Sequence, residues 1–355
     1  MPESRLSVAF DMTFPNRNQA GSGHYARSLL AALEARDDVR TFTVSAPPGG
    51  GFAGTMRWLT RGAGKVLSKD PPSLVHCPAF VTPWNLPVPF ITSVLDLSTR
   101  RFPHDFPLEW RVYEGRLLPR RARSAALVIA ISEATRNDVI AEYGVRPERV
   151  LTIHPGIDQD FFLPKVLQSR SEPARLLFPG APLARKNLEL VLHCLAGAPA
   201  GSALAQAALD ISGAREEAFP RYSALIRSLG LWERVRWLGQ VPREDVPSLM
   251  AAATAIVYPS FYEGFGFPPL EAMAAGTPVV ASNASCLPEV LGDAAILVDP
   301  KDGRAFANAL EDVLTRLELR ARLVAAGRER ARQFTWDRSA QCTVEAYERV
   351  LKGAA

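Results

Sequence analysis

Short apolar stretches of strand length alternate along this chain with longer segments of helical period, and past the middle the alternation begins again. No other feature restricts the fold so strongly. Strands separated by helices line up in one direction, so the pattern predicts βαβ units and parallel sheets. Strands are expected at residues 6–10, 41–44, 73–76, 90–95, 127–131 and 150–153. After the restart they are expected at 175–178, 207–211, 235–238, 255–258, 278–281 and 296–298. A loop holding Gly21 and Gly23 follows the first strand, with a helix from about residue 24 to 35. Ser132 stands where a helix N-cap belongs, and Gly144 where that helix should stop.

The restart implies an α/β chain of two doubly wound, Rossmann-like domains, residues 1–165 and 166–335. An aperiodic linker falls at 159–173, and a last amphipathic helix occupies 336–355, after Phe334-Thr335-Trp336-Asp337. At 355 residues the chain is long for one domain and suits two. Residues 47–54, rich in Pro and Gly, read either as a bare connector or as a mobile lid.

Composition excludes several function classes. A net charge of +4 suits phosphate-bearing ligands or an anionic membrane surface, and falls short of the basic stripe of a nucleic-acid binder. The four cysteines form no CxxC pair, so neither a structural zinc site nor a disulfide framework is expected, and reduced thiols point to the cytoplasm. No apolar run approaches bilayer length, and the first five residues lack a signal-peptide pattern. A cytoplasmic protein, at most peripheral to a membrane, is expected.

The chemistry concentrates in residues 258–271. A strand ends at Tyr258, a glycine-bearing turn follows, and a helix begins near Pro268, where proline is tolerated in the first turn. Gly264, Phe265, Gly266 and Phe267 thus lie between the carboxyl end of a strand and the amino end of a helix. Backbone N–H groups exposed there suit a phosphate or a sugar hydroxyl. Glu263 in the loop and Glu271 inside the helix are eight positions apart. Both are expected to face one elongated ligand, because carboxylates accept hydrogen bonds from hydroxyls well. A phosphate between them needs positive charge, which Arg185 and Lys186 supply after the strand ending near Gly180. A lone carboxylate on a helix would be a solvated or capping residue, and Arg185 or Lys186 alone a surface charge; the combination points to a site.

The pair Glu263 and Glu271, with Gly264-Phe265-Gly266 and Ala274-Ala275-Gly276-Thr277-Pro278-Val279, resembles the E-x7-E donor-site signature of family 4 glycosyltransferases. Arg185-Lys186-Asn187, Ser132-Glu133, His154-Pro155-Gly156-Ile157-Asp158 and Gly21-Ser22-Gly23-His24-Tyr25 are similar to other landmarks of that family, in the same order. The resemblance implies a GT-B architecture: two domains facing across a cleft, with the C-terminal helix crossing back to the N-terminal domain. It further implies retention of anomeric configuration, no cofactor, no obligatory metal, and a nucleotide-diphosphate sugar as donor substrate, linked to GDP, UDP or dTDP. Carried onto this chain, Glu271 would bind ribose hydroxyls and Glu263 the donor sugar. Arg185 and Lys186 would neutralise the diphosphate. Gly264 to Phe267 would touch sugar and phosphate, and the backbone from Gly239 to Val241 the base. Gly21 and Gly23 would let the first loop approach donor or acceptor; His24 and Tyr25 read either as cap and packing of the first helix or as acceptor contacts, and Asp96 as a turn residue or as part of the cleft.

One departure bears on the donor: Leu95-Asp96 stands where the family often has His-Asp, and an apolar Leu95 would suit a 6-deoxyhexose. Ala181 stands where many members carry a second phosphate-binding arginine. The expected activity is transfer of a hexose or deoxyhexose to a glycan, lipid-linked or small-molecule acceptor. The rivals are a sugar phosphorylase of the same fold and a non-catalytic nucleotide-sugar binding protein. The stretch Arg116-Leu117-Leu118-Pro119-Arg120-Arg121-Ala122-Arg123, preceded by Trp110, reads as a solvated helix end or as a contact with anionic lipid headgroups.

Overall fold

The computed structural model describes residues 6–18, 21–49, 51–162 and 173–353. The chain divides into two compact units, Met1–Gly156 with Phe334–Ala355, and Ile157–Gln333. The expected boundary at 165/166 and most of the expected linker lie outside the described residues, as do residues 1–5 and Gly50.

Among the described residues the first unit holds one parallel sheet of six strands. These are β1 (Leu6–Asp11), β2 (Val39–Val44), β3 (Leu74–Cys77), β4 (Phe90–Val94), β5 (Leu127–Ala130) and β6 (Val150–Thr152), in the order β2-β1-β3-β4-β5-β6. Its strands are short, continuous apolar runs, as in parallel sheets covered on both faces: Val8, Phe10, Val75, Ile91 and Val128 are buried, as are Leu29 and Leu33 of the helix Gly21–Glu34. The C-terminal helix Trp336–Leu351 belongs to this unit and packs beside Gly21–Glu34. Its Tyr347 hydroxyl lies 2.6 Å from Nδ1 of buried His76, whose Nε2 is 2.9 Å from Ser93 Oγ. Burial pushes the His76 imidazole down to about 3, so the ring is neutral there.

The second unit repeats the plan with β7 (Arg175–Phe178), β8 (Ala208–Ser212), β9 (Val235–Gly239), β10 (Ala255–Tyr258), β11 (Val279–Ser282) and β12 (Ile296–Val298). Their order is β12-β11-β10-β7-β8-β9, all parallel. Leu176, Phe178, Leu209, Ile211 and Val257 from the sheet join Val191, Leu192, Phe306 and Leu310 from helices in one core. The chain runs outward from β7 to β9, then returns to lay β10 on the other side of β7. Ligands of doubly wound sheets bind outside the carboxyl ends of strands at such a reversal, here β7 and β10.

All twelve expected strands are present, with ends shifted by a residue or two. Ser132 caps its helix, accepting from Thr135 N at 3.1 Å, and Gly144 closes it in the left-handed region at φ +67°. Two expectations are corrected. Gly21 and Gly23 open the first helix and do not sit in a loop before it. A Cβ on Gly23 would come within 1.7 Å of the Asn18 carbonyl oxygen, so glycine is required there by close backbone approach. The connector or lid expected at 47–54 gives way from Gly51 to helical turns reaching Leu67, because Trp58, Leu59, Ala63 and Leu67 recur at helical spacing and are buried.

Candidate functional site

The loops after β7 and β10 are laced together. Beyond β7 the chain makes a turn, Ala184–Lys186, and Asn187 takes the left-handed conformation at φ +57° before the helix Leu188–Ala196. Asn187 Nδ2 donates to the carbonyls of Pro259 at 3.3 Å and Pro300 at 3.0 Å. Phe261 N donates to the Arg185 carbonyl at 2.8 Å. These backbone and amide bonds bring Arg185 and Lys186 to Glu263, as the sequence led one to expect.

One oxygen of Glu263 collects the charge. Its Oε1 accepts from Ser260 Oγ at 2.9 Å and lies 2.8 Å from Arg185 Nη1 and 3.6 Å from Lys186 Nζ. Arg185 Nη1 also donates to the Tyr262 carbonyl at 3.0 Å. Lys186 Nζ donates to the Tyr258 hydroxyl at 3.1 Å and sits 4.8 Å from that ring's centroid. All three charged side chains are nearly buried, at 10–14% exposure. Burial alone would raise the Glu263 carboxyl, but Arg185 and then Lys186 overcome it and hold the pKa at about 2. Burial lowers the Lys186 ammonium, and Glu263 opposes that shift. Two cations and one carboxylate in a water-poor pocket suit an anion.

The Glu263 loop is fixed from β11 as well. Ser282 Oγ donates to the Ser260 carbonyl, and Ser285 Oγ donates to the Glu263 carbonyl at 2.7 Å. Ser285 holds a left-handed φ of +54°, which costs a non-glycine residue about 1 kcal/mol or more. Gly264, Phe265 and Gly266 are buried, with Phe265 edge-on to Phe267 at 5.1 Å. Gly266, at φ +85°, swings the chain into the helix Phe267–Ala275.

Glu271, in the second turn of that helix, has a different cation. Its Oε1 lies 2.7 Å from Arg243 Nη2, and only 5% of its side chain is exposed. Arg243 stands in the turn Arg243–Asp245 after β9, just past half-buried Val241. Burial raises the Glu271 carboxyl, and Arg243 opposes the rise. The sequence assigned Arg185 and Lys186 to a phosphate between the carboxylates; in the structure those two cations also pair with Glu263, while Glu271 pairs with Arg243. Arg243 lies in a charged surface-like run, Arg243-Glu244-Asp245, and no local signal marks it. Asp158, which also pairs with Arg243, had been noticed only as part of a landmark.

In the first unit, Tyr25 is corrected from an acceptor-side residue to a core one. It is fully buried, its hydroxyl 3.3 Å from Ser93 Oγ, and burial pushes it up to about 12. His24 lies edge-on to Trp336 at 5.9 Å. Asp96 Oδ1 accepts from Ser98 N, two residues on, at 2.7 Å, a local turn just ahead of the short helix Ser98–Arg101, while Leu95 is buried. Two arginines of the basic stretch bond backbone carbonyls of their own unit: half-buried Arg121 bonds that of Pro83 and lies over the Phe90 ring, and exposed Arg123 donates to that of Tyr143 at 2.6 Å. Arg111, Arg116 and Arg120 stay exposed beside Leu108 and Val112. Among the described residues no helix is long and apolar enough to cross a membrane.

Comparison with known proteins adds the following. The family model described as "Glycosyl transferases group 1" matches residues 159–330, and that of "Glycosyltransferase Family 4" residues 20–161. The O-antigen chain mannosyltransferase B of Escherichia coli is 33% identical over 284 residues, which are 78% of this chain and 74% of that protein. An MMP alpha-(1->4)-mannosyltransferase of Mycolicibacterium hassiacum is 33% identical over 248 residues, 66% of this chain but 57% of that protein. The chain thus spans little more than half the length of the second relative. Among solved structures, a sucrose-phosphate synthase from Thermosynechococcus elongatus superposes with a TM-score of 0.78 at 21% identity, covering 99% of this chain and 100% of that one. At that identity the likeness speaks to the fold alone.

Proposed function

The chain belongs to the group 1, family 4 glycosyltransferases, and from that premise we propose that it moves a hexose or deoxyhexose from a nucleotide-diphosphate sugar to an acceptor hydroxyl on a glycan, lipid-linked or small molecule. The transfer retains anomeric configuration and uses no metal. The observation that carries the reading is the meeting of Arg185, Lys186 and Glu263 outside the carboxyl ends of β7 and β10.

In this reading the diphosphate lies against Arg185 and Lys186, and the amino end of the helix Phe267–Ala275 adds backbone N–H groups. Glu263, held ionised, accepts from hydroxyls of the donor sugar, and Glu271 accepts from those of the ribose. When the bond between the anomeric carbon and the diphosphate oxygen breaks, negative charge grows on that oxygen while the sugar gains oxocarbenium character. Cations already fixed in place stabilise the growing charge without reorganising. The acceptor hydroxyl attacks from the face that the diphosphate leaves, and its proton passes to the departing phosphate oxygen, so no separate general base is needed. The names of the two curated relatives favour mannose, whereas Leu95 had favoured a 6-deoxyhexose. We place the enzyme in the cytoplasm, in peripheral contact with anionic lipid through the face carrying Leu108, Val112 and Arg111.

A donor panel of GDP-mannose, UDP-glucose and a dTDP-6-deoxyhexose tests this, with nucleotide release followed and the product's anomeric proton read by magnetic resonance. Release from one donor, with the α configuration of an α donor preserved in the product, is the expected result. An inverted product, or release from none of the three, contradicts it.

A further inference from the structure

The buried carboxylate of Glu271 is answered by a cation from a distant part of the chain, and that cation is itself held on three sides. Arg243 Nη2 lies 2.7 Å from Glu271 Oε1 and 2.9 Å from Asp158 Oδ2, and its guanidinium carbon is 4.7 Å from the centroid of the Phe161 ring. Phe161 is buried, yet 44% of the Arg243 side chain is exposed. A half-exposed arginine ordinarily samples many rotamers, and fixing one costs side-chain entropy. Here three separate segments fix it: Asp158 and Phe161 from the start of the second unit, Glu271 from the helix after β10, and the turn after β9 that carries Arg243.

We infer that Arg243 is a positioning residue for nucleotide binding, which holds the Glu271 carboxylate in the orientation that accepts both ribose hydroxyls, with Asp158 and Phe161 as its supports. The inference rests on the ribose role of Glu271 proposed above. Arg243 takes one lone-pair direction of Oε1; each carboxylate oxygen has two, so the group still has room for two hydroxyl donors. The charged groups facing Glu271 are Arg243, which favours its ionised form, and Asp158, which opposes it. Without Arg243, burial and Asp158 both act to keep a proton on Glu271. A protonated carboxyl turns one acceptor oxygen into a donor and no longer matches two hydroxyls.

The test is calorimetric titration of the full chain with GDP and UDP and with their 2′-deoxy counterparts, at several pH values between 6 and 8. Wild type is expected to prefer the ribonucleotide of the base it accepts, with little change across this range. Arg243→Ala should bind that ribonucleotide on the order of tenfold more weakly, the loss of a hydrogen bond to a charged group. It should also lose discrimination against the 2′-deoxy form and weaken further as pH falls. Arg243→Lys should recover the flat pH profile, and Asp158→Asn should weaken binding less than Arg243→Ala. Circular dichroism of each variant checks that it is folded. Arg243→Ala with wild-type discrimination and a parallel pH profile overturns the inference while leaving the ribose role of Glu271 intact. Glu271→Ala binding as tightly as wild type overturns both.

Discussion

Glu263 shows how far a single side chain can be read from chemistry. Its position in a glycine-bearing turn after a strand marked it as a site residue, and Lys186, after another strand, was expected to bring positive charge for a phosphate to the same site. Their meeting at 3.6 Å required both loops to lie at one sheet edge, which the strand pattern already implied. Arg243 was illegible for the opposite reason. Its value comes from packing against Phe161 and Asp158, about eighty positions away in sequence, and nothing in its own neighbourhood records that. Tyr25 erred in the other direction: a tyrosine beside a glycine-rich turn suggests a ligand, but the helix begins earlier and turns the ring into the core. The ion pairs of Glu263 carry a prediction in pH. Its folded pKa of about 2 lies below the ordinary 4.5, so its contribution to stability is complete above 4.5 and is lost as pH falls toward 2. At about 1.4 kcal/mol per unit the loss amounts to about 3 kcal/mol. Glu263→Gln should be less stable at pH 7, having left two cations buried without their carboxylate, but its stability should fall less steeply in acid. Urea unfolding at pH 7, 4 and 3 checks this; equal acid slopes for variant and wild type would refute the ion-pair account.

At the scale of elements, strands were legible almost throughout because parallel strands covered on both faces are continuous apolar runs. The helical turns between Gly51 and Leu67 were hidden by the glycines and prolines ahead of them, and tertiary burial of Trp58 and Leu59 outweighed that local preference. The basic stretch shows why a charge run is a poor guide by itself. Arg121 and Arg123 bond carbonyls of their own unit and brace the helix Leu118–Ser124. Exposed Arg111, Arg116 and Arg120 share this stretch with Leu108 at 65% exposure and Val112 at 47%. If this face meets anionic lipid, Leu108→Ser with Arg111→Glu should abolish cosedimentation with phosphatidylglycerol vesicles, leaving donor turnover in solution unchanged. Wild type that fails to sediment even at low salt would dispose of the membrane contact.

For the whole molecule, one restart of the strand–helix pattern corresponds to two six-stranded parallel sheets among the described residues, and the second has its strand reversal at the strands whose ends carry Lys186 and Glu263. Fold and family are therefore of one piece, while sugar, base and acceptor depend on loop shapes that spacing does not encode. The central claim is that cations fixed beside Glu263 stabilise the negative charge that grows on a departing diphosphate. Charge that grows in the transition state is felt more in turnover than in binding. Single-turnover kinetics of donor cleavage by Lys186→Ala, with donor affinity measured in parallel, tests this directly. The account predicts cleavage slowed on the order of a hundredfold with a much smaller change in affinity; cleavage at the wild-type rate would contradict it.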